Sequence, residues 1–269
     1  MGTDPVVLIH GAWAGAWVWE RLTPHLESAG LITQALDLPG NGADDTPPAA
    51  VSLDRYVAHV GAVLDRLGGR ASLVAHSGGG VVASAVAEAF PDRVARIAYV
   101  AGMMLPDGMG FADLVAEARA RHPEAAGIGP HLIWSPDRLT SRVPEAAARA
   151  IFFQDGPESD AQAAARRLTP QPERGRAVRA RLTAEGFGRV PRLYVEALHD
   201  RAVIPALQRQ MCALVPGAAR VALPTGHAPQ LSAPDRLAAA LLPFLLSDAP
   251  GTSFAAQPAD ARHRPRSAA

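Results

Sequence analysis

The chain has 269 residues, of which 48% are hydrophobic, and its 26 basic residues balance 26 acidic ones. This length accommodates one large α/β domain with a substantial core, and the balanced charge gives no indication of a nucleic-acid or anionic-membrane partner. Every basic residue is an arginine, which excludes lysine Schiff-base chemistry and a Walker-type phosphate lysine.

Cysteine use and hydropathy limit the class of protein further. Cys212 is the only cysteine, so an intramolecular disulfide and a cysteine-rich metal site are excluded, and we expect a packed thiol. The first strand is predicted to begin near Pro5, which leaves no room for a secretory signal, and no apolar run approaches the roughly 18 residues that span a bilayer. We therefore expect a cytoplasmic protein, monomeric or homodimeric, with no membrane partner.

Strand and helix patterns alternate along the first hundred residues. The predicted elements are a strand at 6–9, a helix at 17–29, a strand at 31–36, a helix to residue 67 with Ser52 as its N-cap, a strand at 71–75, a helix of small residues ending at Pro91, and a strand at 94–100. This alternation predicts a mostly parallel sheet with helices on both faces.

The alternation stops after residue 100. Residues 102–188 show no strand pattern, only helical pieces rich in Ala and Arg; a strand at 193–196, a helix at 206–215, a strand at 220–223 and a helix at 234–246 follow. We therefore predict a core made of residues 1–101 and 189–248. Residues 102–188 are predicted to form a helical cap over the carboxyl ends of the strands, where ligands bind in such sheets, and residues 249–269 a disordered tail.

An apolar run at residues 72–82 breaks at the sequence Ala75-His76-Ser77-Gly78-Gly79. A sharp turn from strand to helix holds its central residue in a strained conformation and brings the side chains two positions on either side close together. Both of those positions are small here, which predicts that Ser77 is a nucleophile at the N-terminus of the next helix. The alternative is a serine that caps an ordinary helix.

A serine nucleophile needs a base, and His227 lies in a loop between a predicted strand and the last helix. That position places it at the same sheet edge as Ser77, where a neutral imidazole can take up and return a proton. Asp200 follows the strand at 193–196 and is predicted to orient His227. Glu196 is the alternative carboxylate, although its place at the end of that strand favours a structural role. The order Ser, Asp, His is the one expected for this kind of turn.

Negative charge that develops during nucleophilic attack needs converging backbone N–H donors, each contributing about 3–4 kcal/mol. Gly78, directly after the nucleophile, is predicted to supply one. The loop His10-Gly11-Ala12-Trp13 after the first strand can supply the second from Ala12, and we expect His10 to shape this loop rather than transfer protons. A simple tight turn is the alternative interpretation of the loop.

Together these residues resemble the α/β-hydrolase superfamily, and more narrowly the group of plant methylesterases, hydroxynitrile lyases and bacterial pyrethroid hydrolases. The similarity covers about residues 6–246 and is most specific at the Ser77 turn and at residues 10–17, 35–40, 152–155 and 169–172; residues 190–197 and 208–211 are most similar to bacterial pyrethroid-hydrolase-like carboxylesterases. The resemblance implies an α/β-hydrolase fold with a cap. It also implies a catalytic triad of Ser77, Asp200 and His227, and an oxyanion hole at Ala12 and Gly78.

Two positions depart from the lyase branch of this group. Hydroxynitrile lyases similar to this chain carry Thr at the position of Gly11 and Lys at the position of Ala228, and the charge of that lysine would stabilise departing cyanide. Because this chain has neither group, it has no lysine charge at this position to stabilise departing cyanide during cyanohydrin cleavage. Ala75 stands where Gly is more common, and it is small enough to keep the turn.

We predict a carboxylesterase that cleaves a small hydrophobic ester through an acyl-enzyme intermediate, with no metal or cofactor. The small-molecule ester is expected to lie beneath the cap against Trp13, Met103, Met104, Phe111, Trp134, Phe152 and Phe153. Two alternatives stay open. One is hydrolytic or lyase cleavage of a carbon–carbon bond on the same triad, which the fold cannot separate from ester hydrolysis. The other is a small-molecule binding protein with a vestigial triad, which an intact triad argues against.

Overall fold

Two sheets form within residues 3–247, the part of the chain that this computed structural model describes. Their strands are β1 (Val6–Ile9), β2 (Thr33–Leu36), β3 (Ala71–His76), β4 (Val94–Val100), β5 (Ile133–Trp134), β6 (Thr140–Arg142), β7 (Gln171–Pro172), β8 (Arg192–Ala197) and β9 (Ala218–Leu223). The predicted tail at residues 249–269 lies outside the described residues.

The larger sheet has the strand order β2-β1-β3-β4-β8-β9, and every neighbouring pair is parallel. All six strands therefore end at the same edge. β2 lies on one side of β1, whereas β3 and the later strands lie on the other side, so the direction of strand addition reverses between β1 and β3. These two strands are paired with Ile9 opposite Ala75, and the loops that follow them meet at this topological switch point. In open α/β sheets such a point is the usual place for a ligand.

Helices cover both faces of this sheet. The α-helices of the described residues, not all of which lie on this sheet, are α1 (Thr23–Ser28), α2 (Leu53–Leu67), α3 (Gly79–Ala89), α4 (Phe111–Ala118), α5 (Glu145–Ile151), α6 (Glu158–Arg166), α7 (Glu173–Arg176), α8 (Pro205–Leu214), α9 (Pro229–Ser232) and α10 (Pro234–Leu245). Successive strand residues point to opposite faces, so Ile9 packs in the core with α2, α3 and α8, whereas Leu8 packs with α1 and α10. This confirms the predicted α/β fold. No helix in the described part of the chain is long and apolar enough to cross a membrane.

The segment between β4 and β8 differs from the sequence prediction. It contains helices, as expected, but also β5, β6 and β7, which pair antiparallel in a small second sheet. The prediction of a strand-free segment was therefore wrong. Strands of two or three residues are too short to show an alternating pattern, because that pattern needs at least four residues to be recognised.

Candidate active site

Ser77 occupies the sharp turn between β3 and α3. Its φ of +50° lies in the left-handed region, which is strained for a residue with a side chain. A Cβ at Gly79 would lie 2.5 Å from the carbonyl oxygen of His10, so only glycine fits at that position while the helix lies this close to β1. Gly79, one of the two small residues that the sequence analysis singled out, therefore has a packing reason.

Three predicted side chains meet at the carboxyl edge of the sheet. His227 Nε2 accepts a hydrogen bond from Ser77 Oγ at 3.1 Å, and its Nδ1–H donates to Asp200 Oδ2 at 2.8 Å. Asp200 Oδ1 accepts hydrogen bonds from the backbone N–H groups of Ala202 and Val203, which hold the carboxylate in place. All three side chains are buried, so their interactions are little screened by water.

The alternative carboxylate, Glu196, is engaged elsewhere. It is buried in β8, and its two oxygens lie 2.6 Å from Arg209 Nε and 3.0 Å from Arg220 Nη2. These ion pairs fit the structural role expected from its place at the strand's end.

Two backbone N–H groups are free beside Ser77. Neither Ala12 nor Gly78 donates a backbone or side-chain hydrogen bond among residues 3–247, and both border the same cavity as Ser77. Gly11 makes this approach possible, because a Cβ at that position would lie 2.7 Å from the Cβ of Ser77. The predicted pair of oxyanion donors is thus available to a bound group.

Two buried histidines support the loops around the triad. His10 donates from Nδ1 to the carbonyl of Gly11 at 2.7 Å and accepts the N–H of Leu38 at Nε2. His76 donates from Nε2 to the carbonyl of His227 at 2.8 Å. Burial lowers the pKa of His10 and places the pKa of His76 well below its ordinary value, so both rings stay neutral. The sequence analysis found the loop-shaping role of His10 but missed the contact of His76.

The segment between β4 and β8 holds the loop that carries Ala12. Gln171 Oε1 accepts the backbone N–H of Trp13 at 2.9 Å, and the N–H of Thr169 donates to the carbonyl of Trp13 at 2.8 Å. The indole N–H of Trp13 donates to the carbonyl of Ser141 at 3.1 Å. Trp13 has a φ of +61°, so these contacts stabilise a strained residue directly after Ala12.

The same segment also contacts the loops that carry Asp200 and His227. Gln154 Nε2 donates to the carbonyl of His199, next to Asp200, at 2.9 Å. Asp155 Oδ2 accepts hydrogen bonds from the N–H of Gly226, next to His227, and from Ser232 Oγ. Sequence analysis noted residues 152–155 and 169–172 only as parts of a resemblance, because nothing local in the chain indicates partners so distant in sequence.

A cavity of about 340 Å³ borders Ser77, His227, Ala12 and Gly78. Its apolar lining includes Trp13, Met103, Phe111, Val115, Ile128, Leu132, Phe152 and Val178. Its charged side chains are neutralised in pairs, since Arg176 lies 2.6 Å from Glu173 and Arg179 pairs with Asp113. Burial raises the pKa of Tyr56, which also lines the cavity, to about 12, so its hydroxyl stays protonated.

Three residues expected to bind substrate lie outside this cavity. Met104 is fully buried in the core beneath it, and Trp134 stacks against the guanidinium groups of Arg138 and Arg176. Phe153 contacts the edge of Phe152 and lines two neighbouring cavities instead. The other four, Trp13, Met103, Phe111 and Phe152, line the cavity as expected, and their contact with a substrate stays a prediction.

Cys212 is a partly buried thiol whose pKa burial raises to about 11, in accord with a packed rather than reactive cysteine. No group of three or more His, Cys, Asp or Glu side chains within residues 3–247 has the arrangement of a metal site.

A sequence model of the alpha/beta hydrolase family matches residues 6–240. The chain belongs to this family. Its sequence is 32% identical to a pyrethroid hydrolase of Sphingobium wenxiniae, over 93% of this chain and 90% of that protein. It is 30% identical to methylesterase 18 of Arabidopsis thaliana, over 88% of this chain and 95% of that protein.

A solved structure agrees with this assignment. The crystal structure of a pyrethroid hydrolase from Sphingobium faniae superposes on this member of the family with a TM-score of 0.81 and 28% sequence identity. The match covers 91% of this chain and 98% of the other. The resemblance identified from the motifs is therefore confirmed.

Proposed function

We propose that this α/β hydrolase is a carboxylesterase with Ser77 as nucleophile. The observation that carries the proposal is the hydrogen-bonded series from Ser77 Oγ through His227 to Asp200. Both relatives named above are ester hydrolases, which supports the same class of reaction.

In the acylation step, Ser77 Oγ attacks the ester carbonyl while His227 Nε2 accepts its proton. The resulting imidazolium is stabilised by Asp200, and the N–H groups of Ala12 and Gly78 donate to the oxyanion. His227 then gives the proton to the leaving alkoxide as the carbon–oxygen bond breaks. Deacylation repeats these steps with water as the nucleophile and Ser77 as the leaving group.

The substrate proposed is a small, uncharged, hydrophobic ester. The cavity beside Ser77 is about 340 Å³ and mostly apolar, and its charged side chains already have partners within the protein. An ionic substrate would therefore have to lose its hydration without gaining a free counter-charge.

We further propose that residues 102–188 act as a cap on a core formed by residues 1–101 and 189–248. The contacts that Gln154, Asp155 and Gln171 make with the loops of the core support this arrangement. Cap and core together would then enclose the ester.

Lyase chemistry on the same side chains is disfavoured at two positions. Ala228, directly after His227, carries no charge, and the chain has no lysine at all. Gly11 supplies no hydroxyl. A departing cyanide would therefore meet no cationic side chain at the position that supports it in the lyases.

Side-by-side assays with p-nitrophenyl butyrate, a vinylogous diketone and mandelonitrile test the proposal. We expect turnover of the ester alone, together with covalent labelling of Ser77 by a fluorophosphonate probe. Turnover of only the diketone or only mandelonitrile would contradict the esterase assignment. The absence of both turnover and labelling would favour a binding protein.

A further inference from the structure

A second, much smaller cavity of about 30 Å³ lies beside the triad. Ser77, His227 and Trp13 border both this cavity and the larger substrate cavity, so the two adjoin at the reacting groups. Its remaining wall includes His76 and Gln230, neither of which has a part in the mechanism above.

Gln230 is completely buried and unpaired. Neither its Oε1 nor its Nε2 has a hydrogen-bond partner among the described residues. A buried amide without partners is costly, and such groups in native proteins usually bind an ordered water molecule. Both side-chain amide atoms of Gln230 lack partners, so the amide is unpaired in either of its two orientations.

His76, which lines the same cavity, carries a third unpaired polar atom. Its Nε2 donates to the carbonyl of His227, so in the neutral ring Nδ1 is an acceptor, and that atom is buried without a partner among the described residues. Two residues in the wall of this cavity therefore carry two unpaired acceptor atoms and one unpaired amide NH2 group.

We infer that this small cavity binds water and supplies the molecule that deacylates Ser77. The inference rests on the proposed esterase function. One water needs about 10–15 Å³ of such space and two to four polar partners. A cavity of about 30 Å³ therefore has room for at least one water, for which Gln230 Oε1 and His76 Nδ1 are the available acceptors and Gln230 Nε2 the available donor.

The position suits the chemistry of deacylation. The water oxygen forms a bond to the acyl carbon while His227 Nε2 takes one water proton, giving a tetrahedral oxyanion held by Ala12 and Gly78. The bond between the acyl carbon and Ser77 Oγ then breaks, and the proton on His227 passes to Oγ. The carboxylic acid leaves, and the free serine is restored.

The small cavity also lies close to a cavity at the protein surface. A surface cavity of about 180 Å³ shares Phe153 and Ala228 with the small cavity.

The test is the partition of the acyl-enzyme between water and methanol. Wild type, Gln230→Leu and Gln230→Met are given p-nitrophenyl butyrate at a fixed methanol concentration, and the ratio of methyl butyrate to butyrate is measured. This ratio does not depend on which step limits turnover. Ser72→Ala is the matched control, since Ser72 Oγ is likewise buried without a partner but lies near the opposite end of β3.

We expect both Gln230 variants to fold, as circular dichroism checks, and to raise the ratio about five- to tenfold, the change expected when one or two hydrogen bonds to a water are lost. Ser72→Ala should leave the ratio unchanged. A wild-type ratio in a folded Gln230 variant would overturn the inference while ester cleavage still held. If wild-type protein releases no p-nitrophenol, the esterase function itself fails, and this inference with it.

Discussion

Gln171 accepts a hydrogen bond from the backbone N–H of Trp13 at 2.9 Å, although the two residues are 158 positions apart in the chain. Trp13 follows Ala12, whose N–H is one of the two proposed oxyanion donors. The side chain of Gln171 also accepts from Asn41 Nδ2 at 2.8 Å, and both residues are buried. The segment between β4 and β8 thus fixes the position of a donor that the core provides.

Replacing Gln171 with Met should therefore lower kcat about tenfold with little change in KM, because the donor at Ala12 loses its alignment with the transition state. Gln162→Met, at an exposed position of α6, is the control and should behave as wild type. Steady-state kinetics with an aryl ester as substrate give kcat and KM for the two variants and for wild type. An unchanged kcat in folded Gln171→Met would show that the contact has no part in positioning Ala12.

Neutralising Asp200 should lower kcat, whereas neutralising Glu196 should lower the melting temperature. Asp200→Asn removes the acceptor that orients His227 and stabilises its imidazolium, so we expect kcat to fall about 10³- to 10⁴-fold. Glu196→Gln should keep kcat within a few-fold of wild type but lower the melting temperature, since Glu196 pairs with Arg209 and Arg220. The reverse result would assign the catalytic carboxylate to Glu196.

A substitution at Gly11 tests how closely the loop of residues 10–13 must approach Ser77. In Gly11→Ala the new methyl would lie 2.7 Å from Ser77 Cβ, so the loop must move away from Ser77. We expect kcat to fall about 10²-fold, the scale on which a lost oxyanion donor acts. Gly69→Ala, where an added Cβ meets nothing within 4 Å, is the matched control. Equal rates for both variants would argue against Ala12 as a donor.

Stability should fall in mild acid because of the buried histidines. Burial lowers the pKa of His10 and His76 in the folded state, whereas in the unfolded chain both protonate near the ordinary value of 6.5. Below that pH the unfolded state binds more protons, so the free energy of unfolding decreases as pH falls. Each histidine contributes up to about 1.4 kcal/mol per pH unit.

Urea unfolding of wild type and His76→Gln at several pH values checks this. The glutamine amide can still donate to the carbonyl of His227 but does not titrate. We expect a shallower loss of stability in the variant between about pH 6.5 and pH 5, because one protonation site is gone. Identical slopes would mean that His76 does not contribute.

The sequence predicted those parts of the molecule that depend on local rules. Ser77 was found because its turn demands small neighbours, and the alternating elements predicted the parallel sheet that gathers Asp200 and His227 at its edge. Parallel strands end together, so residues after three of them meet without any knowledge of side-chain contacts.

The remaining features depend on packing that local patterns do not encode. Met103 and Met104 are adjacent and chemically identical, yet the first lines the cavity beside Ser77 and the second is buried in the core. Asp155 and Gln171 lie in segments noted only for their resemblance, and Gln230 lies in none of those segments, so only the folded chain shows which of these side chains are paired. The short strands β5–β7 gain their partners from each other and carry no periodic signal.

Ser77 is the proposed nucleophile of an ester hydrolase. The most direct measurement is the rate of p-nitrophenyl butyrate hydrolysis by purified Ser77→Ala beside wild type, after circular dichroism has shown that the variant is folded. We predict a fall of about 10⁴-fold or more, because no other group can form the acyl-enzyme. Turnover by Ser77→Ala at the wild-type rate would show that Ser77 is not the nucleophile.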